Sequence, residues 1–124
     1  MTAEQGTLAG VNEESRALRV AVIEEIRVLA SASLQSKYEI DVPIADVPAE
    51  LICGFCDDLY HPKSKTFLDA FTEDEIKQLA VLYGLLYLVS ETVNRSHPLK
   101  IADLQKLPEW RAVMSYAKDL ESDL

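Results

Sequence analysis

Basic side chains are scarce in this sequence, and their scarcity limits the partners that the protein can have. The 124 residues include 12 Lys and Arg against 21 Asp and Glu, which gives a formal net charge of −9 at pH 7. Residues 1–60 alone hold 4 basic and 11 acidic side chains. Because nucleic acids and anionic lipid surfaces are bound mainly through cationic side chains, we expect neither as a partner. A basic protein is the partner that this charge favours.

The sequence also has few cysteines, and it shows neither the pattern of a targeting signal nor a catalytic motif. Two cysteines are too few for a secreted disulfide scaffold. The first ten residues, MTAEQGTLAG, have neither the basic region nor the apolar region of a signal peptide, so we expect a cytoplasmic protein. The sequence has no HExxH motif, no glycine-rich phosphate loop and no recognisable Ser, His and Asp set. It therefore predicts neither a catalytic function nor a cofactor.

The longest apolar run, LAVLYGLLYLV at 79–89, predicts the centre of the fold. Thr72 and Glu75 form a capping-box pattern ahead of it, which indicates a helix over about 73–95. The run is shorter than the roughly 18 apolar residues of a membrane span, so no membrane contact is predicted. A helix that is apolar nearly all round must be covered by the rest of the protein or by a second copy. Gly84 within it predicts a close helix crossing, inside the chain or across a dimer.

The flanking segments predict further helices. Residues 1–11 resemble a flexible tail, and 12–124 a single domain that starts with a helix capped by Asn12 and ending near Leu34. Residues 36–47 are predicted to be a connector. Other helices are expected over about 49–60, 99–107 and 108–124. The sequence thus predicts an all-α fold, a small orthogonal or up-down bundle of four to six helices around the central one.

Cys53 and Cys56 form a CxxC pair in the middle of the predicted helix over 49–60. Reactive cysteines usually lie in electropositive, partly exposed positions. Here Asp57 and Asp58 follow directly, and nearby carboxylates raise the pKa of a thiol. We therefore interpret the two cysteines as small packing residues.

Two other interpretations of the CxxC pair involve histidines. The order Glu50, Cys53, Cys56, His61 resembles the alkylhydroperoxidase and carboxymuconolactone-decarboxylase superfamily, all-helical proteins with a CxxC and a following histidine on one helix. That resemblance implies a thiol redox enzyme as the alternative function, although here the helix is predicted to stop at His61 and Pro62. The spacing also permits a zinc set, but a lone CxxC is a weak zinc pattern and no metal is predicted. The zinc set would consist of Cys53, Cys56, His61 and His97.

The opposite face of the same helix carries the candidate binding residues. Asp46, Glu50, Gly54 and Asp57 fall within about 80° of one another on an ideal helix, with Asp58 beside them. Gly54 leaves room for a basic loop or helix to approach, so this acidic stripe is the predicted partner-binding site. The alternative is an ordinary solvated face.

The function that these features favour is non-enzymatic binding of a basic partner protein. In size and charge the chain resembles bacterial immunity proteins and antitoxins, which implies an inhibitor that masks a basic site. A structural homo-oligomer, joined through the central helix, is a further alternative.

Overall fold

The computed structural model of the chain describes residues 2–44, 46–95 and 100–124, with side chains from residue 13 onward. These residues form seven α-helices, one π-helical segment and no strand, which confirms the all-α prediction. The helices are α1 (Thr2–Ala30), α2 (Ala32–Asp41), α3 (Val47–Cys53), α4 (Lys65–Ala70), α5 (Glu73–Arg95), α6 (Ile101–Leu104) and α7 (Pro108–Asp123). The π segment, Gly54–Leu59, continues directly from α3. Six α-helices thus accompany α5, within the predicted four to six around a central helix.

The first two helices differ from their predicted bounds. α1 begins at Thr2, so residues 2–11 belong to it and Asn12 lies within the helix instead of capping it. The helix is interrupted at Ser31, whose hydroxyl accepts a hydrogen bond from the N–H of Leu34 at 3.2 Å and so caps α2. α2 then extends to Asp41, so the connector predicted for 36–47 was wrong over 36–41. Proline disfavours the helical conformation at the residue directly before it, and a helix ending ahead of Val42 is compatible with Pro43.

The predicted helix starts at α3, α5 and α7 are confirmed. Asp46 caps α3 by accepting a hydrogen bond from the N–H of Ala49 at 3.3 Å. At α5, Thr72 Oγ1 accepts from the N–H of Glu75 at 3.2 Å, and Glu75 Oε1 accepts from the N–H of Thr72 at 2.8 Å. α7 has Pro108 in its first turn. These bonds pair amide groups that a helix start leaves without internal partners.

The core forms along one side of α5, which confirms its central position. The five buried side chains of this helix recur at steps of three and four residues: Leu79, Leu82, Leu86, Val89 and Val93. α3, the π segment and α7 pack against that side, and α1 packs against α7 and α4. Buried side chains of α1 and α7 lie in the same cluster, including Val22, Ile26, Leu29, Trp110, Val113, Ala117 and Leu120.

The other side of α5 is not covered by the residues that the structure describes, so the rest of the chain supplies only part of the predicted cover. Val81, Tyr87 and Leu88 are 50%, 55% and 60% exposed, and Gly84 between them is exposed as well. Within the described residues α5 is also the one helix long and apolar enough to cross a membrane, by length and composition only. The absence of a membrane partner therefore remains a prediction.

An ion pair ties α1 to the start of α5. Both terminal nitrogens of Arg19 donate to the carboxylate of Glu75 at 2.8 Å, and Nη1 also donates to the carbonyl of Ala70 at 3.0 Å. The guanidinium lies 5.4 Å from the ring centroid of Phe71. The hydrogen bonds from Arg19 are the main reason why the pKa of Glu75 falls from 4.5 to about 2.

We expect Arg19→Ala to lower the free energy of unfolding by about 2 kcal/mol at neutral pH, because the pair is bidentate and partly buried. Arg16→Ala removes an exposed arginine of the same helix and should change it by no more than about 0.5 kcal/mol. A carboxylate with a lowered folded-state pKa stabilises the fold above pH 4.5 and loses that effect as the pH falls toward about 2. Urea unfolding at pH 7 and pH 3 should therefore show a smaller Arg19→Ala effect at pH 3. Equal losses for the two arginine variants at pH 7 would contradict the assignment.

Candidate functional site

Residues of α1, α2, α3 and the π segment surround an open cavity of about 320 Å³. We call it the acidic cavity, because three of its side chains are carboxylates and no basic side chain among the described residues lines it. The lining consists of Glu25, Tyr38, Glu50, Leu51, Cys53, Gly54 and Asp58.

Glu25 of α1 is the cavity residue whose buried carboxyl group is incompletely hydrogen-bonded. Its Oε1 atom is buried and has no hydrogen-bond partner among the described residues. Burial, and then the negative charge of Asp58, raise the pKa of Glu25 from 4.5 to about 7. A Cβ atom at Gly54 would lie 3.1 Å from the same Oε1, so the glycine leaves room for the Glu25 carboxyl group. The residue is therefore held where ionisation is costly.

The second carboxylate, Glu50, is oriented by a neighbour. The hydroxyl of Tyr38 donates a short hydrogen bond of 2.6 Å to Glu50 Oε2. This bond joins α2 to α3 across the cavity, and the carboxylate it meets raises the pKa of the Tyr38 hydroxyl. Glu50 keeps lone pairs for a further donor, since an ionised carboxylate has about four acceptor sites.

The π segment decides which aspartate lines the cavity. The N–H of Tyr60 bonds to the carbonyl of Phe55 at 2.8 Å, the i to i+5 pattern of a π-helix. A π-helical turn takes in more residues than an α-helical turn, so the side chains that follow are displaced along the sequence. As a result Asp58 lines the acidic cavity together with Glu50, while Asp57 lines a separate hollow beside Cys56.

Of the four residues predicted to bind a partner, the structure brings Glu50 and Asp58 together. Asp46 caps α3 and Asp57 faces the other hollow, so neither lines the acidic cavity. Sequence reasoning missed Glu25, which comes from a different helix. One signal for it exists in the sequence: Glu25 lies three residues after Val22 and four before Leu29, within the buried stripe of α1.

The two cysteines are free thiols in different surroundings. Cys56 is half-buried against the core, as predicted, whereas Cys53 is exposed at the edge of the cavity and was wrongly predicted as a packing residue. Burial, followed by the charge of Asp57, raises the pKa of Cys56 to about 12. Burial, and then a hydrogen bond to Asp57, raise the pKa of Cys53. Both thiols are therefore poorer nucleophiles at neutral pH than an unperturbed cysteine.

The residues considered for zinc are not assembled into a site. Within 2–44, 46–95 and 100–124, no group of three or more His, Cys, Asp or Glu side chains is placed to hold a metal ion. Nε2 of His61 lies 3.2 Å from the carbonyl oxygen of Asp58. The predicted fourth ligand, His97, lies outside the described residues.

Comparison with known proteins gives no relative. No protein family model, no curated protein and no solved structure matches this chain. The function must therefore be argued from the cavity itself.

Proposed function

We propose that this protein acts by binding, and that its acidic cavity receives a lysine or arginine side chain of a basic partner protein. The observation that carries the proposal is Glu25, whose buried oxygen has no hydrogen-bond partner in the described part of the chain and lies in a cavity with two further carboxylates. Buried polar atoms in folded proteins nearly always have a hydrogen-bond partner, so an unpaired carboxylate oxygen calls for one.

A cation supplies the hydrogen-bond donors and the positive charge that the three carboxylates lack. A guanidinium or ammonium group brings several N–H donors, and hydrogen bonds between charged groups contribute about 1.5–3 kcal/mol each. It also favours the ionised form of Glu25, which burial and Asp58 disfavour in the free protein. Tyr38 already orients Glu50 for the same ligand. The cavity volume of about 320 Å³ gives room for one long side chain and its solvent.

The net charge supports a basic partner and an inhibitor-type role. With 4 basic and 11 acidic side chains in residues 1–60, the half of the chain that supplies the cavity attracts a basic surface at long range. Capping a cationic residue of that partner would mask it. A cytoplasmic location belongs to this proposal. The raised pKa values of Cys53 and Cys56 weigh against the thiol enzyme as the alternative.

The test uses a blocked Gly-Arg-Gly peptide and NMR of the Glu25 carboxyl carbon. We expect the peptide to lower the pKa of Glu25 from about 7 toward its ordinary value, because a cation stabilises the carboxylate. The same peptide with citrulline, which has the shape of arginine without its charge, should leave the pKa unchanged. Glu50→Gln and Asp58→Asn should each weaken peptide binding by about tenfold, the equivalent of one charged hydrogen bond.

Asp57→Asn is the matched control, since Asp57 neighbours Asp58 but lies outside the cavity. It should leave peptide binding within about twofold of the unmodified protein. Equal responses to the arginine and citrulline peptides, or equal losses in the Asp57 and Asp58 variants, would contradict the proposed site.

A further inference from the structure

The uncovered side of α5 carries a contiguous apolar surface with a charge at each end. We call it the α5 face and define it by Ala80, Val81, Gly84, Tyr87 and Leu88, with Lys77 and Glu91 at its two ends. Its three large side chains are at least half exposed. Exposed apolar patches of this kind commonly mark interaction sites.

No contact among the described residues explains why position 84 is a glycine. A Cβ atom built there would meet nothing within 4 Å, so the close intramolecular crossing predicted for this glycine is absent among the described residues. Glycine inside a helix costs about 1 kcal/mol relative to alanine. What glycine offers is a surface without a side chain, on which a second helix can pack closely. Gly84 is also the middle residue of α5.

We propose that a second copy of this chain packs on the α5 face, with the two α5 helices antiparallel and the two-fold axis passing beside Gly84. In a two-fold dimer the same surface is used by both subunits. Around such an axis, residues at equal distances before and after Gly84 oppose each other. Lys77 opposes the partner's Glu91, and Glu73 opposes the partner's Arg95. Both pairs join opposite charges.

The charges at the two ends of the α5 face favour a second copy of the chain as its occupant and an antiparallel arrangement of the two helices. A parallel pairing of two α5 helices would place Lys77 near the partner's Lys77 and Glu91 near the partner's Glu91, which like-charge repulsion disfavours. Neither a foreign helix nor a lipid surface would require charges that are complementary about the middle of the helix. The pairing is self-complementary in size too, because small Ala80 opposes the partner's large Leu88.

Tyr87 gives the α5 face a firm aromatic anchor. Its ring centroid lies 6.4 Å from that of Tyr83, which in turn stacks on Tyr60 at 4.8 Å. Tyr60 stacks on the buried ring of Phe55 at 5.5 Å. The exposed ring is thus supported by a row of rings that ends in the core, and tyrosines held in this way are frequent among the residues that dominate interface energies. In the dimer Tyr87 opposes the partner's Val81.

The test is a charge exchange followed by sedimentation equilibrium. The unmodified protein should be a dimer. Lys77→Glu and Glu91→Lys should each weaken dimerisation by about tenfold, since each reversal creates two repulsive pairs across the two-fold axis. The double variant Lys77→Glu, Glu91→Lys restores both pairs and should regain the original dissociation constant within about threefold. Lys118→Glu, an exposed reversal on α7, is the matched control and should have no effect.

A second variant tests the axis without reversing a charge. In a Cys53→Ser, Cys56→Ser background, Gly84→Cys should form an intermolecular disulfide on mild oxidation, because only residues at the axis meet their own copies. Val81→Cys in the same background opposes Tyr87 and should remain reduced. A monomer at the highest soluble concentration would overturn the proposal, as would dimerisation that ignores both reversals. The proposal would also be overturned, in favour of a lipid surface, if the protein is a monomer that binds phosphatidylcholine vesicles and its Leu88→Lys variant no longer binds them.

Discussion

Gln35→Leu should lower the free energy of unfolding by about 3 to 5 kcal/mol, although the site is fully buried and leucine is the more apolar residue. The amide group of Gln35 makes four hydrogen bonds. Nε2 donates to the carbonyls of Val28 at 2.9 Å and Leu29 at 3.0 Å, and Oε1 accepts from Trp110 Nε1 at 3.1 Å and Gln105 Nε2 at 3.2 Å. Gln35 therefore joins α1, α2 and α7 at one buried point.

The size of the effect follows from what leucine would leave behind. α1 ends at Ala30, and the last carbonyls of a helix have no partner within it. Gln35 supplies donors to two of them. The indole N–H of Trp110 is also fully buried, and each buried group left unpaired costs about 1–3 kcal/mol. Leucine cannot replace any of these bonds.

Urea unfolding at neutral pH measures this loss. Gln78→Leu is the control, because Gln78 is a helical glutamine whose side chain makes one exposed hydrogen bond, to Asp123 at 3.0 Å. It should change the free energy of unfolding by less than about 1 kcal/mol. If Gln35→Leu costs no more than the control, the buried network does not hold the three helices together.

The parts of the fold that the sequence predicted correctly are those that local chemistry determines. Asp46 and Thr72 each satisfy an amide three residues further along the chain, and such short-range bonds leave a readable pattern. The apolar positions of α1 and α7 likewise recur at steps of three and four residues, and this local period coincides with their buried faces. Gln35 shows the limit, since its partner Trp110 is 75 residues away and no local pattern connects them.

The acidic cavity was predicted only in part, for two physical reasons. Glu25 meets Asp58 because α1 packs beside the π segment, which is a contact between distant parts of the chain. Because the helix changes from α to π at Gly54, Asp58 instead of Asp57 lines the acidic cavity. An ideal α-helical wheel cannot include that change. The exposure of the α5 face depended similarly on which side of α5 the other helices cover. An apolar composition indicates that a helix needs partners, not which of its sides receives them.

Glu25→Gln should stabilise the protein, by up to about 3 kcal/mol above pH 7 and not at all below pH 4.5. The folded protein holds a proton on Glu25 up to a pKa of about 7, whereas the unfolded chain releases it near 4.5. Stability therefore falls as the pH rises between these values, and the full cost of the buried charge is present above them. Glutamine has the same shape and carries no charge. Urea unfolding from pH 4 to 8 measures the difference, with Glu24→Gln as the exposed neighbouring control.

The same variant separates a binding role of Glu25 from a structural one. If the carboxylate exists to pair with a cation, Glu25→Gln should gain stability and bind the Gly-Arg-Gly peptide at least about tenfold more weakly. Stability and binding would then change in opposite directions, as expected where a functional group is kept at the expense of stability. A variant that is more stable and binds the peptide equally well would show that the buried charge has no part in recognition. Because Glu24→Gln should change neither property, the comparison isolates the one carboxylate that, among the described residues, is buried without a hydrogen-bond partner.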